Sequence, residues 1–489
     1  MGIIIRQSIK GSFVTFAGTF IGFLTSFFIV TRLPDGVYGL TQILLSISLV
    51  FTGLGQLGTT SSIVRYFPFF KNENKNNGFF FYVIVIPFMG LVLVTSILLF
   101  LQKPIEFIFS IESSLFFDYY YWLIPLTFFL VYWGVLESYS AVLMRIVIPQ
   151  FIREFLVRIF LAIIFIAFII GLVNLDSLIA LYTCVYAVAM LLMLFYISRI
   201  GSISLKRDTT FDTKSIKKDF YSFTSFFILS SLGTSLIAKI DIIMVGSQIG
   251  LVETDIYAIA LFIVAIIEIP NRSISAISSP IVAESLKKND IDSTGQLYKK
   301  VALHQFLISS FIFLIIIINL DNIFQIMPNG AKFSKGLWVV ILMGLTKLLH
   351  AVLGFGTSII NLSKYYKWML YLSLFSATLT ISLNLLLIPR YNLIGAAIAT
   401  SISCCITYVI QQIILFKNLN ITPFSLNIFK VIIIFGILFA VNFMLPSIFN
   451  PYIDCMYRTF IISILSFFIV YFSKISEDFN SLIQNRIKR

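Results

Sequence analysis

Apolar runs separated by short polar segments follow one another along the whole chain. Most runs are about 20 residues long, which is the length a helix needs to cross ~30 Å of hydrocarbon. The first run has a basic flank but no small-residue cleavage site, so we interpret it as an uncleaved span. The pattern predicts an all-α integral membrane protein with about 14 transmembrane helices. The predicted spans are 11–31, 41–63, 79–101, 119–143, 156–173, 177–197, 220–246, 256–282, 301–320, 336–360, 368–387, 394–415, 429–446 and 457–473.

Composition agrees with a chain that lies in lipid. The 489 residues are 59% hydrophobic and 12% charged, and the mean hydropathy is +0.98. These values exclude a soluble protein with a wetted surface. The four cysteines show no metal-ligand spacing, so we predict neither a metal centre nor a disulfide framework. The aromatic run 119–122 is interpreted as part of an interfacial belt.

The basic residues divide unequally between the two sides of the predicted membrane. The chain holds 35 Lys and Arg against 22 Asp and Glu, a formal net charge of +13. Most of them fall on the side of the N-terminus, which the positive-inside rule assigns to the cytoplasm. We therefore predict that both termini are cytoplasmic and that the surplus charge contacts membrane lipids. Nucleic acid is not expected as a partner, since no recognition module accompanies the charge.

A long basic loop near the middle of the chain, roughly Ser198 to Asp219, suggests a hinge between two halves. Aligning Tyr38 with Tyr257 places an acidic loop before each tyrosine and a branched apolar helix after it. Because an even number of helices separates the two segments, repeated halves would keep the same orientation in the membrane. The alternative is a chance likeness between apolar segments.

Charged residues inside predicted spans are the strongest functional signal, since each costs roughly 2.5–3.5 kcal/mol at a helix centre. Lys239 and Asp241 lie in span 220–246 and point about 200° apart, so each needs its own partner or water. This requirement predicts a bundle with a polar cavity; a buried pair that fixes helix register is the alternative. Arg272 and Lys347 are the other basic residues that lie within spans and away from the span ends. With Lys239 they are candidates to bind phosphate, for which Arg offers bidentate donors and Lys a point charge.

Two helical spacings bring further groups onto common faces. Glu268 and Arg272 are four residues apart beside Pro270, which predicts a kink. They form either an internal salt bridge or a gate that opens when phosphate binds Arg272. Lys347 and His350 also share a face. His350 is interpreted either as a group that titrates near neutral pH or as a satisfied histidine of the bundle.

Other ionisable residues complete the set of candidates. Glu137 is the one clear buried acid predicted in the first half, and with Asp241 and Glu268 it is a candidate for ion coupling or gating. Arg65, at the inner end of the second span, is either a first-half substrate contact or a cytoplasmic topology charge. His304 is a weaker candidate. No cofactor is expected apart from coupling to H⁺ or Na⁺.

Two stretches of the sequence carry a family resemblance. The first is Leu33-Pro34-Asp35-Gly36-Val37-Tyr38-Gly39-Leu40, followed by Gly55, Gly58 and Val64-Arg65-Tyr66. The second runs from Asn384 to Thr400, where Pro389 stops a helix, Asn392 permits a turn and small residues begin the next helix. Together they resemble polysaccharide flippases of the multidrug/oligosaccharidyl-lipid/polysaccharide exporter superfamily.

The resemblance implies an architecture and a function. It implies two six-helix lobes around a central cavity, with two further helices that help to form a groove for a lipid tail. The lobes would be 1–200 and 220–416, joined by a cytoplasmic loop at 201–219 and followed by helices 13 and 14 and a tail at 417–489. The implied activity is transfer of an undecaprenyl-diphosphate-linked oligosaccharide from the inner to the outer leaflet of a bacterial inner membrane, without covalent chemistry. Polysaccharide polymerase machinery would be a partner.

Three alternatives stay open from the sequence. A lipid II flippase or a multidrug and cation exporter would have the same fold, and the buried acids suit an exporter of organic cations. An oligosaccharide polymerase or ligase would meet the same lipid-linked substrate, but such enzymes need a sizeable catalytic loop outside the membrane. The longest outside loop here, near 102–118, is short and mostly apolar. No GxxxxGK followed by Ser or Thr occurs, so a P-loop ATPase is not expected.

Overall fold

The computed structural model of the chain describes residues 14–15, 17–70, 79–109, 112–143, 145–200 and 214–475, with the side chains of 68–70 and 214–227 excepted. Within these ranges all regular structure is helical. The first ten helices are α1 (Ala17–Arg32), α2 (Val37–Gly55), α3 (Thr59–Phe70), α4 (Phe79–Phe100), α5 (Gln102–Phe109), α6 (Ser114–Asp118), α7 (Leu123–Val142), α8 (Val147–Phe151), α9 (Val157–Ile169) and α10 (Leu175–Ile200).

The remaining helices begin after residue 213. They are α11 (Lys214–Gln248), α12 (Leu251–Ala265), α13 (Ile269–Lys287), α14 (Ile291–Ile318), α15 (Leu320–Ile326), α16 (Gly330–Phe333), α17 (Leu337–Leu353), α18 (Phe355–Leu362), α19 (Trp368–Leu419), α20 (Leu426–Asn442) and α21 (Pro451–Phe472). Short π-helical or 3-10 turns at Thr25–Ile29, Ile152–Leu156 and Ile266–Glu268 interrupt or extend some of them.

The helices confirm the predicted all-α membrane class. Nine helices in the described residues are long and apolar enough to cross a membrane, and α1 and α20 are shorter apolar helices. Every predicted span overlaps at least one helix. The 52-residue α19 holds two predicted spans, because Asn392 (φ 50°, ψ −132°) breaks the helical path after Pro389. The turn expected at Asn392 is therefore present.

Two other predicted spans are broken in the middle. Span 41–63 divides between α2 and α3 at Leu57 and Gly58, which both have positive φ. Span 256–282 divides at the 3-10 turn Ile266–Glu268, directly before Pro270. Proline has no N–H to donate to the preceding turn, so the kink predicted beside it follows from its chemistry. Broken helices at membrane depth are found where the backbone is buried in protein or lines a cavity.

The chain forms two compact units. Unit 1 comprises Met1–Ala258 and Thr380–Asn392, and unit 2 comprises Ile259–Leu379 and Leu393–Arg489. In unit 1, α11 packs along α2. The predicted division into lobes stays a prediction. The predicted loop 201–219 lies outside the described residues up to position 213, and its last part forms the start of α11. The predicted tail after residue 475 also lies outside them.

A buried aspartate of α12 caps the N-terminus of helix α2 in unit 1. Asp255 is 2% exposed, and its carboxylate accepts the backbone N–H of Gly36 at 2.8 Å and that of Gly39 at 2.5 Å. These N–H groups belong to the first turn of α2, where no intrahelical acceptor exists. Gly36 adopts φ +81°, a conformation that glycine takes without strain. The first family signature is thus a helix start that a distant carboxylate caps.

Asp255→Asn is expected to lower the free energy of unfolding by about 1–2 kcal/mol. In asparagine an NH2 group replaces one carboxylate oxygen, so one of the two backbone N–H groups faces a donor and loses its acceptor. Unfolding by titration with SDS in mixed micelles measures the change. Asp118→Asn, at an exposed position, is the control and should unfold as the wild type does. Equal stability of Asp255→Asn and wild type would contradict the capping role.

Helix α14 is the centre of unit 2. It packs against α13, α17 and α20, and the buried residues Phe306, Leu314, Val352 and Leu438 belong to one apolar cluster between these helices. A second cluster around Tyr298 and other residues joins α14 to α13, α18 and α19. Helix α17 also packs against the 3-10 turn Ile266–Glu268 that precedes α13.

An ion pair on α21 joins the ends of three helices in unit 2. Arg458 Nε donates to Asp454 Oδ2 at 2.6 Å, and the two side chains are only 11% and 5% exposed. Asp454 also accepts the Asn322 amide at 2.6 Å and the Ile448 N–H at 2.9 Å. Arg458 Nη1 donates to Asn442 Oδ1 at 2.8 Å. The pair therefore ties α21 to α15 and to the end of α20.

Candidate functional site

Three basic side chains surround one carboxylate inside unit 2. Glu268 Oε2 lies 3.2 Å from Lys347 Nζ and 3.4 Å from Arg272 Nη2, and Oε1 lies 3.9 Å from His350 Nδ1. We name these four residues the Glu268 cluster. The structure thus joins two predicted pairs, Glu268 with Arg272 and Lys347 with His350, into one site. Their roles in substrate binding and gating stay predictions.

The helix break at Glu268 shapes this cluster. Glu268 belongs to the 3-10 turn that precedes α13, and Arg272 follows one turn later. Lys347 and His350 project from α17, and Gly354 leaves room for the imidazole, since a Cβ there would lie 2.6 Å from its ring atoms. The Tyr408 ring lies 5.8 Å from the His350 ring. The Nδ1 atom of His350 is buried and has no hydrogen-bond partner in the part of the chain that the structure describes.

A buried polar network fixes the backbone behind the cluster. Gln305 Nε2 on α14 donates to the Asn271 carbonyl at 3.1 Å and to Ser275 Oγ at 2.9 Å. Ser309 Oγ donates to the Ile267 carbonyl at 3.0 Å and lies 3.2 Å from Asn271 Oδ1. Asn271, Gln305 and Ser309 are each at most 3% exposed. Asn271 Nδ2 has no hydrogen-bond partner among the described residues, but the bonds from Gln305 and Ser309 to the carbonyl groups of Asn271 and Ile267 hold the backbone of the broken helix against α14.

Arg272 and Lys347 differ in their access to a ligand. The Arg272 side chain is 73% exposed and that of Lys347 is 28% exposed, whereas Glu268 is 19% exposed. Arginine carries five N–H donors and lysine three, so neither is saturated by one carboxylate. The cluster can therefore accept an additional anion, or exchange Glu268 for one.

The helical spacing of Lys239 and Asp241 predicts that they do not pair with each other, and in the structure they do not. Asp241 is 7% exposed and accepts the Asn384 amide at 2.9 Å and the Tyr257 hydroxyl at 3.3 Å. No hydrogen bond or ion pair of Lys239 occurs among the described residues. Both residues belong to unit 1, whereas Arg272 and Lys347 belong to unit 2, and the predicted grouping of Lys239 with those two residues stays a prediction.

Asp241 and Asn384 form a buried polar pair in unit 1, in which the Asn384 amide donates to the carboxylate. Asn384 is fully buried, and its Oδ1 has no hydrogen-bond partner in the described chain. Carboxylate and amide oxygens are ligands for hard cations. No group of three or more His, Cys, Asp or Glu with metal-binding geometry occurs within the described ranges.

Glu137 is part of a charge network in unit 1. It accepts Arg153 Nη1 at 2.8 Å, and Arg153 Nε lies 3.1 Å from Glu154. Glu154 also pairs with Arg158 at 2.6 Å, and Arg158 donates to the Gly18 carbonyl of α1. Glu137 is 27% exposed and Glu154 is 12% exposed, so the prediction that Glu137 is the one clear buried acid was wrong. The proposed coupling role of Glu137 stays a prediction.

Of the remaining candidates, Arg65 lies at an exposed position and His304 at a half-buried one. The Arg65 side chain is exposed, and its guanidinium lies 5.6 Å from the centre of the Tyr66 ring. His304 Nδ1 lies 2.7 Å from the Lys300 carbonyl, one turn earlier on α14.

The interpretation of the aromatic run as an interfacial belt fails in part, because Tyr120 is 1% exposed and donates to the Leu98 carbonyl. Tyr121, the next residue of the aromatic run, is exposed.

An apolar groove of about 590 Å³ lies beside the Glu268 cluster in unit 2. It lies between α14, α17 and α20. Its lining residues are Phe306, Ser310, Phe313, Leu314, Ile317, Leu345, Leu348, Leu349, Val352, Leu353, Phe424, Ile428, Phe429, Ile432, Phe435, Gly436 and Phe439. Helix α17 thus presents Lys347 and His350 to the cluster and the leucines and Val352 to the groove.

Sequence reasoning missed several residues that the structure places at these sites. Asn384 was interpreted only as part of a turn motif, although an amide within an apolar run is itself a signal of a buried polar site. Asp255 was interpreted as a loop charge, and Glu154 falls just before a predicted span. Gln305 and Asn271 are amides within spans and carry the same signal as Asn384.

Comparison with known proteins identifies the fold. No family model matches the chain, and no curated protein matches its sequence. Among solved structures, the lipid II flippase MurJ in an inward closed conformation aligns with TM-score 0.70 and 15% identity, covering 96% of this chain and 100% of that one. An inward-facing multidrug resistance MATE transporter of the MOP superfamily aligns with TM-score 0.61 and 14% identity, covering 84% and 99%.

A third likeness supports the same conclusion. A MATE transporter of Vibrio cholerae aligns with TM-score 0.58 and 14% identity, covering 86% of this chain and 98% of that one. At such identities the likeness concerns the fold. The chain therefore has the all-α, multi-pass membrane fold seen in the MurJ flippase and in MATE transporters.

Proposed function

We propose that this chain is a flippase that moves an undecaprenyl-diphosphate-linked oligosaccharide from the inner to the outer leaflet by alternating access. The product would serve cell-surface polysaccharide biosynthesis, and the protein would lie in a bacterial inner membrane with both termini cytoplasmic. The observation that carries the proposal is the two-faced helix α17, which has the Glu268 cluster on one side and the apolar groove on the other. An anionic head and a long apolar tail would find complementary surfaces a helix diameter apart.

The physical demand on such a protein is desolvation. A diphosphate and several sugars lose strong hydration when they enter hydrocarbon, which makes unaided crossing slow. Arg272 and Lys347 supply charge-assisted hydrogen bonds that replace that hydration, and an Arg guanidinium binds phosphate oxygens in pairs. The groove offers the tail an apolar surface throughout the movement. No bond of the substrate is made or broken.

A second candidate is transport of lipid II, which the fold likeness to MurJ favours. Lipid II carries the same polyprenyl diphosphate, so the Glu268 cluster and the groove would serve both substrates. A multidrug or cation exporter is the third candidate, favoured by the fold likeness to MATE transporters. Such an exporter would use Asp241 for an organic cation.

Transbilayer movement in vesicles separates these candidates. Purified protein is reconstituted, and a fluorescent undecaprenyl-diphosphate oligosaccharide, fluorescent lipid II and a fluorescent organic cation are each tested against protein-free vesicles. We expect acceleration of the oligosaccharide lipid. Acceleration of lipid II alone would favour the second candidate, and acceleration of the cation alone would favour the third. Movement equal to that of protein-free vesicles for all three probes would overturn the proposal.

Asp241→Asn is expected to abolish any response of transport to an ion gradient. The buried carboxylate would hold the coupling ion, whereas the amide has no charge to compensate it. We expect wild-type movement to change at least about threefold, or ~0.7 kcal/mol, when a gradient of H⁺ or Na⁺ is applied, and Asp241→Asn to move substrate at one rate throughout. Asp321→Asn, at an exposed position, is the control. An unchanged gradient response in Asp241→Asn would exclude this residue as the coupling site.

A further inference from the structure

The turn between α20 and α21 exposes large apolar side chains. It comprises residues 443–450, Phe-Met-Leu-Pro-Ser-Ile-Phe-Asn, and we name it the α20–α21 turn. Phe443, Met444 and Phe449 are each at least 75% exposed. Single exposed apolar residues are common on any protein surface, whereas neighbouring ones mark contact with another apolar surface or with lipid. The turn therefore has the composition of a surface that does not face water.

No exposed charged side chain holds this part of the chain in water. Between Lys430 and Lys474, a stretch that the structure describes in full, the only charged residues are Asp454 and Arg458. These two form the largely buried ion pair that ties α21 to α15 and to the end of α20. Charged residues are rarely buried unless they pair. Because they pair with each other here, the turn has no charged group for water to solvate.

The ion pair also satisfies backbone groups of the turn. Ile448 N–H donates to Asp454 Oδ1 at 2.9 Å, and Arg458 Nη2 donates to the Pro446 carbonyl at 3.5 Å. The Asn450 side chain accepts the first two N–H groups of α21 at 3.0 and 3.5 Å. Non-helical backbone is tolerated at membrane depth only where its polar groups find partners within the protein. The turn meets this condition at the positions named.

The helix lengths place this network within the hydrocarbon. Lys430 and Lys474 are exposed, and the positive-inside rule assigns both to the inner boundary of the membrane. Asn442 lies about 18 Å from Lys430 along α20, and Arg458 lies about 24 Å from Lys474 along α21. Arg458 Nη1 donates to Asn442 Oδ1 at 2.8 Å, so the two residues lie at one level. Both distances are shorter than the ~30 Å of hydrocarbon, so the network lies below its outer boundary.

We propose that the α20–α21 turn is inserted among the acyl chains of the outer leaflet, so that its partner is the lipid itself. The inference goes beyond the proposed function and does not depend on it. It rests on the predicted topology, in which this turn lies on the outer side. The ion pair of Asp454 and Arg458 thereby acquires a role, because it supplies hydrogen bonds to a turn that has left water. The exposed apolar side chains make the insertion favourable, since they lose contact with water.

The inserted turn also decides what the apolar groove opens to. Phe435, Gly436 and Phe439 of α20 line the groove. The Phe439 ring packs against that of Phe443, the first residue of the turn, with 5.2 Å between the ring centres. The groove therefore extends to the turn, and its outer end opens to acyl chains instead of water. An apolar occupant would pass between the groove and the outer leaflet without becoming hydrated.

Spin-label accessibility measures the depth of the turn. We place p-acetylphenylalanine at Phe449 of the full-length protein, attach a nitroxide to it and reconstitute the protein in phospholipid nanodiscs. Oxygen concentrates in hydrocarbon, whereas a nickel chelate stays in water. The ratio of oxygen to nickel collisions should be at least about tenfold higher at Phe449 than at Lys335, because the polar chelate is excluded from hydrocarbon.

Two positions of the same unit calibrate this ratio. Lys335 is exposed in the segment between α16 and α17, which the topology also places on the outer side, and it gives the value for water. Ile433 is 62% exposed in the middle of α20 and gives the value for hydrocarbon. A ratio at Phe449 equal to that at Lys335 would overturn the inference.

Bilayer thickness separates contact with lipid from contact with protein. In nanodiscs of long-chain phospholipids the hydrocarbon is thicker, so an inserted turn lies deeper in it. We expect the ratio at Phe449 to rise from short-chain to long-chain lipids, while the ratio at Lys335 stays constant. A ratio at Phe449 that ignores thickness, or low collision rates with both reagents, would show that a second copy or another protein surface covers the turn. Either result would overturn the inference.

Arg458→Met tests the role assigned to the ion pair. Without the guanidinium, the Pro446 carbonyl loses a donor and Asp454 keeps an uncompensated charge, so both need water. We expect the ratio at Phe449 to fall at least about threefold as the turn moves toward water. Lys288→Met, which removes a cation from an exposed pair with Glu284, should leave the ratio unchanged. An unchanged ratio in folded Arg458→Met would overturn the role of the pair.

Discussion

Replacing Lys347 by glutamine is expected to reduce flipping of the lipid-linked oligosaccharide by at least about tenfold. Lys347 is the cation closest to Glu268, at 3.2 Å, and its side chain is 28% exposed. A hydrogen bond to a charged group contributes about 1.5–3 kcal/mol, which corresponds to roughly 10- to 100-fold in binding. Without the lysine, one phosphate of the substrate has no cation to replace its hydration. The measurement is the initial rate of fluorescent lipid movement in vesicles at equal protein content.

The chain supplies a matched control for this variant. Lys288→Gln removes the same charge from an exposed pair with Glu284, outside the cluster, and should leave the rate unchanged. Lys347→Arg keeps the charge and should retain a large part of the activity. An equal loss in Lys347→Gln and Lys288→Gln would point to a general effect of net charge. Full activity of Lys347→Gln would remove the cluster from the transport path.

Replacing Arg458 by methionine is expected to lower the free energy of unfolding by about 3 kcal/mol. The arginine is the charge partner of Asp454, and both side chains are largely buried. Breaking a buried pair costs about 3–5 kcal/mol, because the remaining charge stays out of water. The low end applies here, since Asn322 and the Ile448 N–H still donate to Asp454. Unfolding in an SDS titration reports the change.

A double variant shows whether the cost comes from the uncompensated charge. Arg458→Met combined with Asp454→Asn removes both charges and should recover part of the lost stability. The exposed ion pair that Lys288 forms provides the control, since the Lys288→Met variant should have the same free energy of unfolding as the wild type. If the double variant is less stable than Arg458→Met, the network contributes through its hydrogen bonds and the argument from charge is wrong.

The positions of the membrane helices followed from hydropathy, whereas their breaks followed only in part. Bilayer thickness fixes the length of an apolar run, so each predicted span overlaps a helix. Pro270 and Asn392 predict two of the helix breaks, because the backbone preferences of proline and asparagine favour a kink and a turn. At the break after α2, both Leu57 and Gly58 have positive φ, and only Gly58 gives a local signal for it, because glycine takes that conformation without strain. The short helices α5, α6 and α16 lie in segments that the sequence pattern assigned to loops.

The candidate site was predictable along each helix but not between helices. Spacing placed Arg272 beside Glu268 and His350 beside Lys347, because periodicity governs one helix at a time. Their meeting depends on how α13 and α17 pack on α14, which the pattern of a single chain does not specify. The partner of Asp241 on α19 was missed because it lies 143 residues away.

Unit 1 consists of two separate stretches of chain, and this has a consequence for biogenesis. The segment Thr380–Asn392 belongs to the unit that otherwise ends at Ala258. A ribosome adds about 5–20 residues per second, so Asn384 emerges roughly 7–30 s after Asp241, its partner 143 residues earlier. During that interval Asp241 lies in the membrane without its amide donor. The part of unit 1 that ends at Ala258 is therefore inserted first, and the unit is complete only when the segment Thr380–Asn392 has been inserted.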